Sequence, residues 1–181
     1  MSMQYVAFGG LWRSLEATVW HASEYPGCTY RHQINIVHCT SIFLDAYVNY
    51  VADRLNLVKC GGGAGRPTLH KLADICVVLG MQLPDRSTRP WRSLDDLAKF
   101  RSLLAHAAAV RGNGRTGHLI RYASAVTCDI GGLLQPERVV RIVADVRKVL
   151  AAAHVAIGDA DIPNPFIAHP SYIDALTPDR G

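Results

Sequence analysis

Apolar residues recur at helical spacing through most of this chain. Phe8, Leu11, Trp12, Leu15 and Val19 form a stripe within residues 7–24, which Tyr25-Pro26-Gly27 brings to an end. The longest element runs from Gln33 to Leu55. It is apolar on more than one side (Ile34, Val37, Ile42, Phe43, Leu44, Tyr47, Val48, Val51 and Leu55), as expected of a central helix enclosed by others. Pro67-Thr68 opens a third helix with Leu69, Leu72, Cys76 and Leu79 on one face and Gly80 as its stop. A fourth is expected over residues 93–110. There Ser93 is the cap, Asp96 completes a shortened capping box, and Asp95 and Asp96 meet the positive end of the helix. Its inward face is Leu94, Leu97, either Phe100 or Arg101, and Leu104, and Arg111-Gly-Asn-Gly provides residues that tolerate a left-handed stop. Pro136 starts a fifth helix, with Val139, Ile142, Val143, Val146 and Leu150 inward and Gly158 past its end. The pattern predicts an all-α, antiparallel bundle of four or five helices.

Between these elements the chain is short of regular signals. Lys59 to Arg66 reads as a flexible loop around Gly61-Gly62-Gly63-Ala64-Gly65. It is not a phosphate-binding P-loop, because Arg66-Pro67 stands where the lysine belongs and no strand precedes it. Met81 to Pro90 is a connection, and residues 117–130 read as a short hairpin or an irregular loop. The 181 residues suit one helical domain over residues 1–158, followed by a Pro-rich tail over 159–181. No apolar run reaches the length of a membrane span and no signal segment opens the chain, so a cytoplasmic protein with no membrane partner is expected.

Five cysteines, an odd number without C-x-x-C spacing, argue against a disulfide framework. Cys39 and Cys76 lie inside helical patterns, where a free thiol behaves as a small apolar residue. His32 and His38 are six apart, which suits no helical metal pair, so neither a metal nor another cofactor is expected. The net charge of +4 is unevenly placed. From Arg86 to Arg121 eight basic residues stand against Asp95 and Asp96, giving 8 − 2 = +6 and leaving the rest near −2. That bias favours an anionic partner such as nucleic acid, with Arg111, Arg115 and Arg121 as its basic contacts; the bland alternative is a solvated Arg-rich surface.

Within the basic stretch lies Arg101-Ser-Leu-Leu-Ala-His106, which puts a phosphate-binding guanidinium and a proton-carrying imidazole five positions apart on one helix. The spacing alone carries no weight: with 15 Arg and 8 His in the chain, about 0.7 such pairs arise by chance. At 100° per residue the two positions diverge by about 140°, so a joint site requires Arg101 to reach around, the helix to loosen, or a second copy to face the first. Structurally, Arg101 could instead pair with Asp96 or Asp45.

Ser41-Ile-Phe-Leu-Asp45-Ala-Tyr-Val-Asn49-Tyr on the central helix, a second amphipathic helix, and Lys99-Phe-Arg-Ser-Leu-Leu-Ala-His-Ala closing a third together resemble the HEPN domain family over roughly residues 7–155. The resemblance implies an all-α dimer. It also implies a metal-independent RNase whose Arg-x4–6-His motifs from two copies share one cleft. Carried over, Arg101 would bind the scissile phosphate and His106 would serve as general base or acid for attack by the ribose 2′-hydroxyl. Ser102, Asp45 and Asn49 would be auxiliary; Asp45 lies where some members carry an acidic residue facing the site. The expected partners are RNA, a second copy and, for a toxin or defence component, a cognate antitoxin. Ala108 stands where toxin members often have Tyr, a departure that weakens the toxin reading without touching the RNase one. The alternatives are a non-catalytic HEPN module that binds RNA or a protein, and an all-α interaction domain without nucleic acid.

Overall fold

The computed structural model describes the backbone of residues 3–24, 29–57, 66–82, 85–110, 132 and 134–158. Within these it describes the side chains of 10–22, 24, 31–57, 66–82, 85–102, 132 and 134–158. Five helices carry the fold and no strand occurs among the described residues: α1 (Met3–Glu24), α2 (Thr29–Arg54), α3 (Thr68–Val78), α4 (Trp91–Val110) and α5 (Pro136–Ile157). None is long and apolar enough to cross a membrane. The chain is an all-α bundle.

Helix α2 is its axis. It packs against each of the other four helices, while α4 additionally packs on α5 and α3. Ile36, Val37, Phe43, Leu44, Tyr47, Val48, Val51 and Ala52 are all buried, so the helix hides more of its circumference than a surface helix would. The face turned to α1 receives Trp12, whose ring lies 5.1 Å from Phe43, and Trp12 Nε1 donates to Glu16 at 2.9 Å. On the α5 side Tyr47 Oη and His154 Nδ1 share a buried hydrogen bond of 2.6 Å, which satisfies two polar atoms that burial would otherwise penalise. The buried Thr40 hydroxyl donates back to the Ile36 carbonyl at 2.6 Å for the same reason. Ile42 remains exposed, which marks where the apolar circumference of α2 ends.

The helix ends follow the punctuation residues. Pro67 precedes α3, and its carbonyl accepts from His70 and Lys71 at 3.0 and 3.2 Å. At the other end Gly80 adopts φ +64, with Gly80 N–H bonding Val77 O at 3.2 Å and Met81 N–H bonding Cys76 O at 2.8 Å, a Schellman closure. Pro136 opens α5, and Gly158 ends it at φ +66. Asn56, just past α2, is the one described non-glycine residue with positive φ, at 55°, a conformation its short polar side chain tolerates.

Two expectations need correction. Helix α4 starts at Trp91, so Ser93 lies inside the first turn and is not its cap. Asp95 and Asp96 consequently fall beyond that turn and act through side-chain pairs, Asp95 with Lys99 at 2.7 Å and Asp96 with Arg138 at 2.6 Å. The bond to Asp95 raises the Lys99 pKa. Phe100, not Arg101, continues the inward face with Leu94 and Leu97. The second correction concerns the thiols. Cys76 is buried as expected, and burial pushes its pKa up, but Cys39 is exposed. Residues 111–131 and 159–181, which include the expected hairpin or loop and the tail, lie outside the described residues.

What Ser93 does instead is hold α4 to α5. The buried Asp145 carboxylate on α5 accepts from Ser93 Oγ at 2.5 Å and from Arg89 Nε and Nη2 at 2.9 and 2.8 Å. Asp145 is only 5% exposed whereas Arg89 is 56% exposed, so the two partners are not equivalent. Removing Arg89 leaves a buried carboxylate with only the Ser93 hydroxyl among its described side-chain donors; removing Asp145 frees a guanidinium that water can solvate and leaves one buried neutral hydroxyl to find another acceptor. Urea unfolding should therefore show Arg89→Ala losing about 2–3 kcal/mol, at or just below the bottom of the range for a broken buried pair because Arg89 is half solvated. Asp145→Ala should lose less, about 1–2 kcal/mol. The reverse order would mean that Asp145 serves mainly by filling space.

Candidate functional site

Arg101 follows the buried Phe100 on α4, and a step of one residue turns it about 100° out of the core. This brings it to the flank where α4 meets α2. There Arg101 Nη1 forms an ion pair with Asp45 Oδ2; the guanidinium side chain is 56% exposed and the carboxylate 20%. The arrangement follows from α2. Leu44, Tyr47 and Val48 are drawn into the core, and Asp45 is left at the rim of that face, partly shielded but still wet. Asp96, the other acidic residue weighed as a partner for Arg101, is turned to α5 by its bond to Arg138.

The Asp45 carboxylate has a second donor. Thr68 Oγ1, on the first residue of α3, donates to Asp45 Oδ1. One turn further along α2, Asn49 Oδ1 accepts from Lys71 Nζ at 2.8 Å. Five polar side chains from three helices are thus gathered on one stretch of surface, with α2 supplying acceptors and α3 and α4 supplying donors. Asp45, Asn49 and Arg101, picked out in the sequence, fall together. Thr68 and Lys71 were missed. The signal that would find them is a register match: their i,i+3 spacing on α3 meets the i,i+4 spacing of Asp45 and Asn49 on α2. That match is readable only once α3 is known to pack on α2.

The other expected site residues are placed less fully. Ser102 is exposed on α4, beyond Arg101. His106 lies on α4, and its side chain is outside the described residues. The helix is continuous from Trp91 to Val110, so residue 106 stands about 140° round the axis from residue 101, and loosening of the helix does not relieve the divergence. Arg111, Arg115 and Arg121 lie outside the described residues. Among the described residues no three His, Cys, Asp or Glu side chains are grouped to hold a metal ion.

The polar cluster is net positive. A guanidinium, an ammonium and a hydroxyl face one carboxylate and one neutral amide, so donors and positive charge are in excess. In comparisons with known protein families, with characterised proteins and with solved structures, nothing matches this chain.

Because Arg101 is more than half exposed, its pair with Asp45 should position the guanidinium and contribute little to stability. A double-mutant cycle with Asp45→Ala and Arg101→Ala, read by thermal or urea unfolding, should give a coupling of about 0.5–1 kcal/mol. A coupling near 3 kcal/mol, in the range for buried pairs, would make the contact a structural clasp.

Proposed function

We propose that the chain is a metal-independent endoribonuclease that works as a homodimer, with Arg101 and His106 as its catalytic residues. The observation that carries this reading is the exposed Arg101 guanidinium, held by Asp45 on the flank of the same unbroken helix that bears His106. A guanidinium fixed at one end but largely solvated has N–H donors left for a phosphate. Two copies related by a two-fold axis along α4 would relieve the 140° divergence, with Arg101 of one subunit facing His106 of the other across a shared cleft.

The chemistry needs no cofactor. The imidazole, with a free pKa near 6.5, removes the proton of a ribose 2′-hydroxyl, whose oxygen attacks the adjacent phosphorus. The P–O5′ bond breaks and the leaving oxygen takes a proton, giving a 2′,3′-cyclic phosphate and a 5′-hydroxyl. Arg101 stabilises the charge that builds on the non-bridging oxygens. Ser102, inside the motif, serves as a further polar contact, and Arg111, Arg115 and Arg121 add the positive field that attracts RNA. A toxin or defence role, with a cognate antitoxin as partner, belongs to the same reading.

A second reading, a non-catalytic module binding RNA or a protein, is favoured by one observation: Arg101 already has a carboxylate partner within its own chain. Kinetics separate the two. Arg101→Ala should slow RNA cleavage about 10²–10³-fold. His106→Ala should slow it about 10²–10⁴-fold. Both should leave the melting temperature nearly unchanged, and Arg101→Lys should also fail, since an ammonium lacks the bidentate fork. Cleavage should survive EDTA, and its rate should change through the pH range where a histidine titrates. Sedimentation should show a dimer at micromolar concentration. Salt-sensitive RNA binding without any cleavage would establish the binding module instead, and alanine variants that unfold would make both residues core supports.

A further inference from the structure

Asp45 and Asn49 stand one turn apart on α2, about 6 Å along its axis, and each is an acceptor facing donors from another helix. At Asp45 the two carboxylate oxygens are taken separately, Oδ2 by Arg101 and Oδ1 by Thr68. Two donors closing on two oxygens of one anion is also how a phosphate is held. At Asn49 the partner is Lys71 Nζ, at 2.8 Å, and the amide oxygen carries no formal charge to offset the ammonium. Asp74, one turn along α3 from Lys71, is already bound by Arg66. Among the described residues the Lys71 charge is therefore held in place without a carboxylate of its own. Asn49, Lys71 and Arg101 all retain solvent contact, so an extended anion can reach them.

We propose that this row is a two-phosphate subsite for single-stranded RNA, in which Asp45 and Asn49 are resting stand-ins for successive phosphates of the strand. One phosphate replaces Asp45 between Arg101 and Thr68. Its neighbour replaces the Asn49 amide on Lys71. The axial step of about 6 Å between the two positions on α2 is of the order of the step between adjacent phosphates of a nucleic-acid strand. Asp45 has two opposed effects: it orients Arg101, and its charge repels the anion that must displace it. The inference rests on the ribonuclease reading for the identity of the strand, and it adds Thr68 and Lys71 as binding residues supplied by α3.

The opposed effects give the test its signs. Binding of a short, fluorescein-labelled 2′-O-methyl oligoribonucleotide, which lacks the attacking hydroxyl, is followed by anisotropy at several salt concentrations, with inorganic tripolyphosphate as a second probe. Lys71→Ala should raise Kd several-fold and lower the salt slope by about 0.7, the change for one phosphate contact on a single strand. Lys71→Arg should restore both. Thr68→Val should raise Kd and leave the slope unchanged, because a neutral donor is lost. Asp45→Asn should tighten binding of both probes while slowing cleavage of ordinary RNA; a purely structural role would not move these in opposite directions. Lys71→Ala should reduce kcat/KM mainly through KM. If Lys71→Ala and Thr68→Val leave Kd and slope unchanged, or Asp45→Asn weakens binding, the subsite is wrong, and the ribonuclease reading survives if Arg101→Ala still stops cleavage. If the binding pattern appears but no RNA is cut, the subsite stands and the ribonuclease reading falls. A wild-type protein that binds neither probe overturns the subsite outright.

Discussion

The burial of α2 is the constraint on which the rest of this structure depends. Its apolar residues cover too much of the helix for one neighbour to hide, so four helices must gather round it. Its polar residues are then sorted by position. Thr40 and Tyr47, which cannot avoid the core, find partners in the Ile36 carbonyl and in His154. Asp45 and Asn49, at the rim, are left to meet whatever α3 and α4 bring alongside. The candidate site is thus a by-product of how much of α2 must be covered and how much need not be.

Helix α4 has to be held at a defined rotation for that encounter, and its anchors are polar as well as apolar. Leu94, Leu97 and Phe100 set the inward direction. Asp145 takes Ser93 and Arg89, and Arg138 takes Asp96, so the α5 side of α4 is tied by charge-assisted bonds at two levels. With that flank fixed to α5, the opposite flank faces α2 and α3. Arg101 lies on it because it directly follows Phe100. Packing rather than an ion pair sets the geometry of the guanidinium, and the pair with Asp45 selects among its rotamers.

Electrostatically the site is paired throughout but not neutral. A carboxylate shared between a hydroxyl and a guanidinium, beside an ammonium on a neutral amide, leaves an excess of positive charge at a wet surface. In water such groups contribute little to folding, because solvent screens them and their side chains lose entropy when ordered. Their arrangement is not a source of stability. The helix that carries Arg101 also carries His106, about 140° round its axis.

The periodicity of apolar residues determined the all-α class, the order of the five described helices and most of their buried positions, Leu11 of the α1 stripe being exposed, because burying an apolar stripe is a local requirement that each helix states in its own sequence. The stops were equally local: Gly80 and Gly158 adopt the left-handed conformations that glycine permits, and Pro67 and Pro136 open the helices they precede. Local signals also misled where a distant partner was stronger. Ser93 resembles a cap, yet its hydroxyl belongs to Asp145, 52 residues away. Asp45, Asn49 and Arg101 could be picked out one by one, but whether Arg101 met Asp45 or Asp96 was undecided, and Thr68 and Lys71 were invisible. Only the tertiary structure decided these. A hydrogen bond between helices depends on their relative rotation and register, and those are set by the packing of every buried side chain at once, which no single stretch of sequence contains.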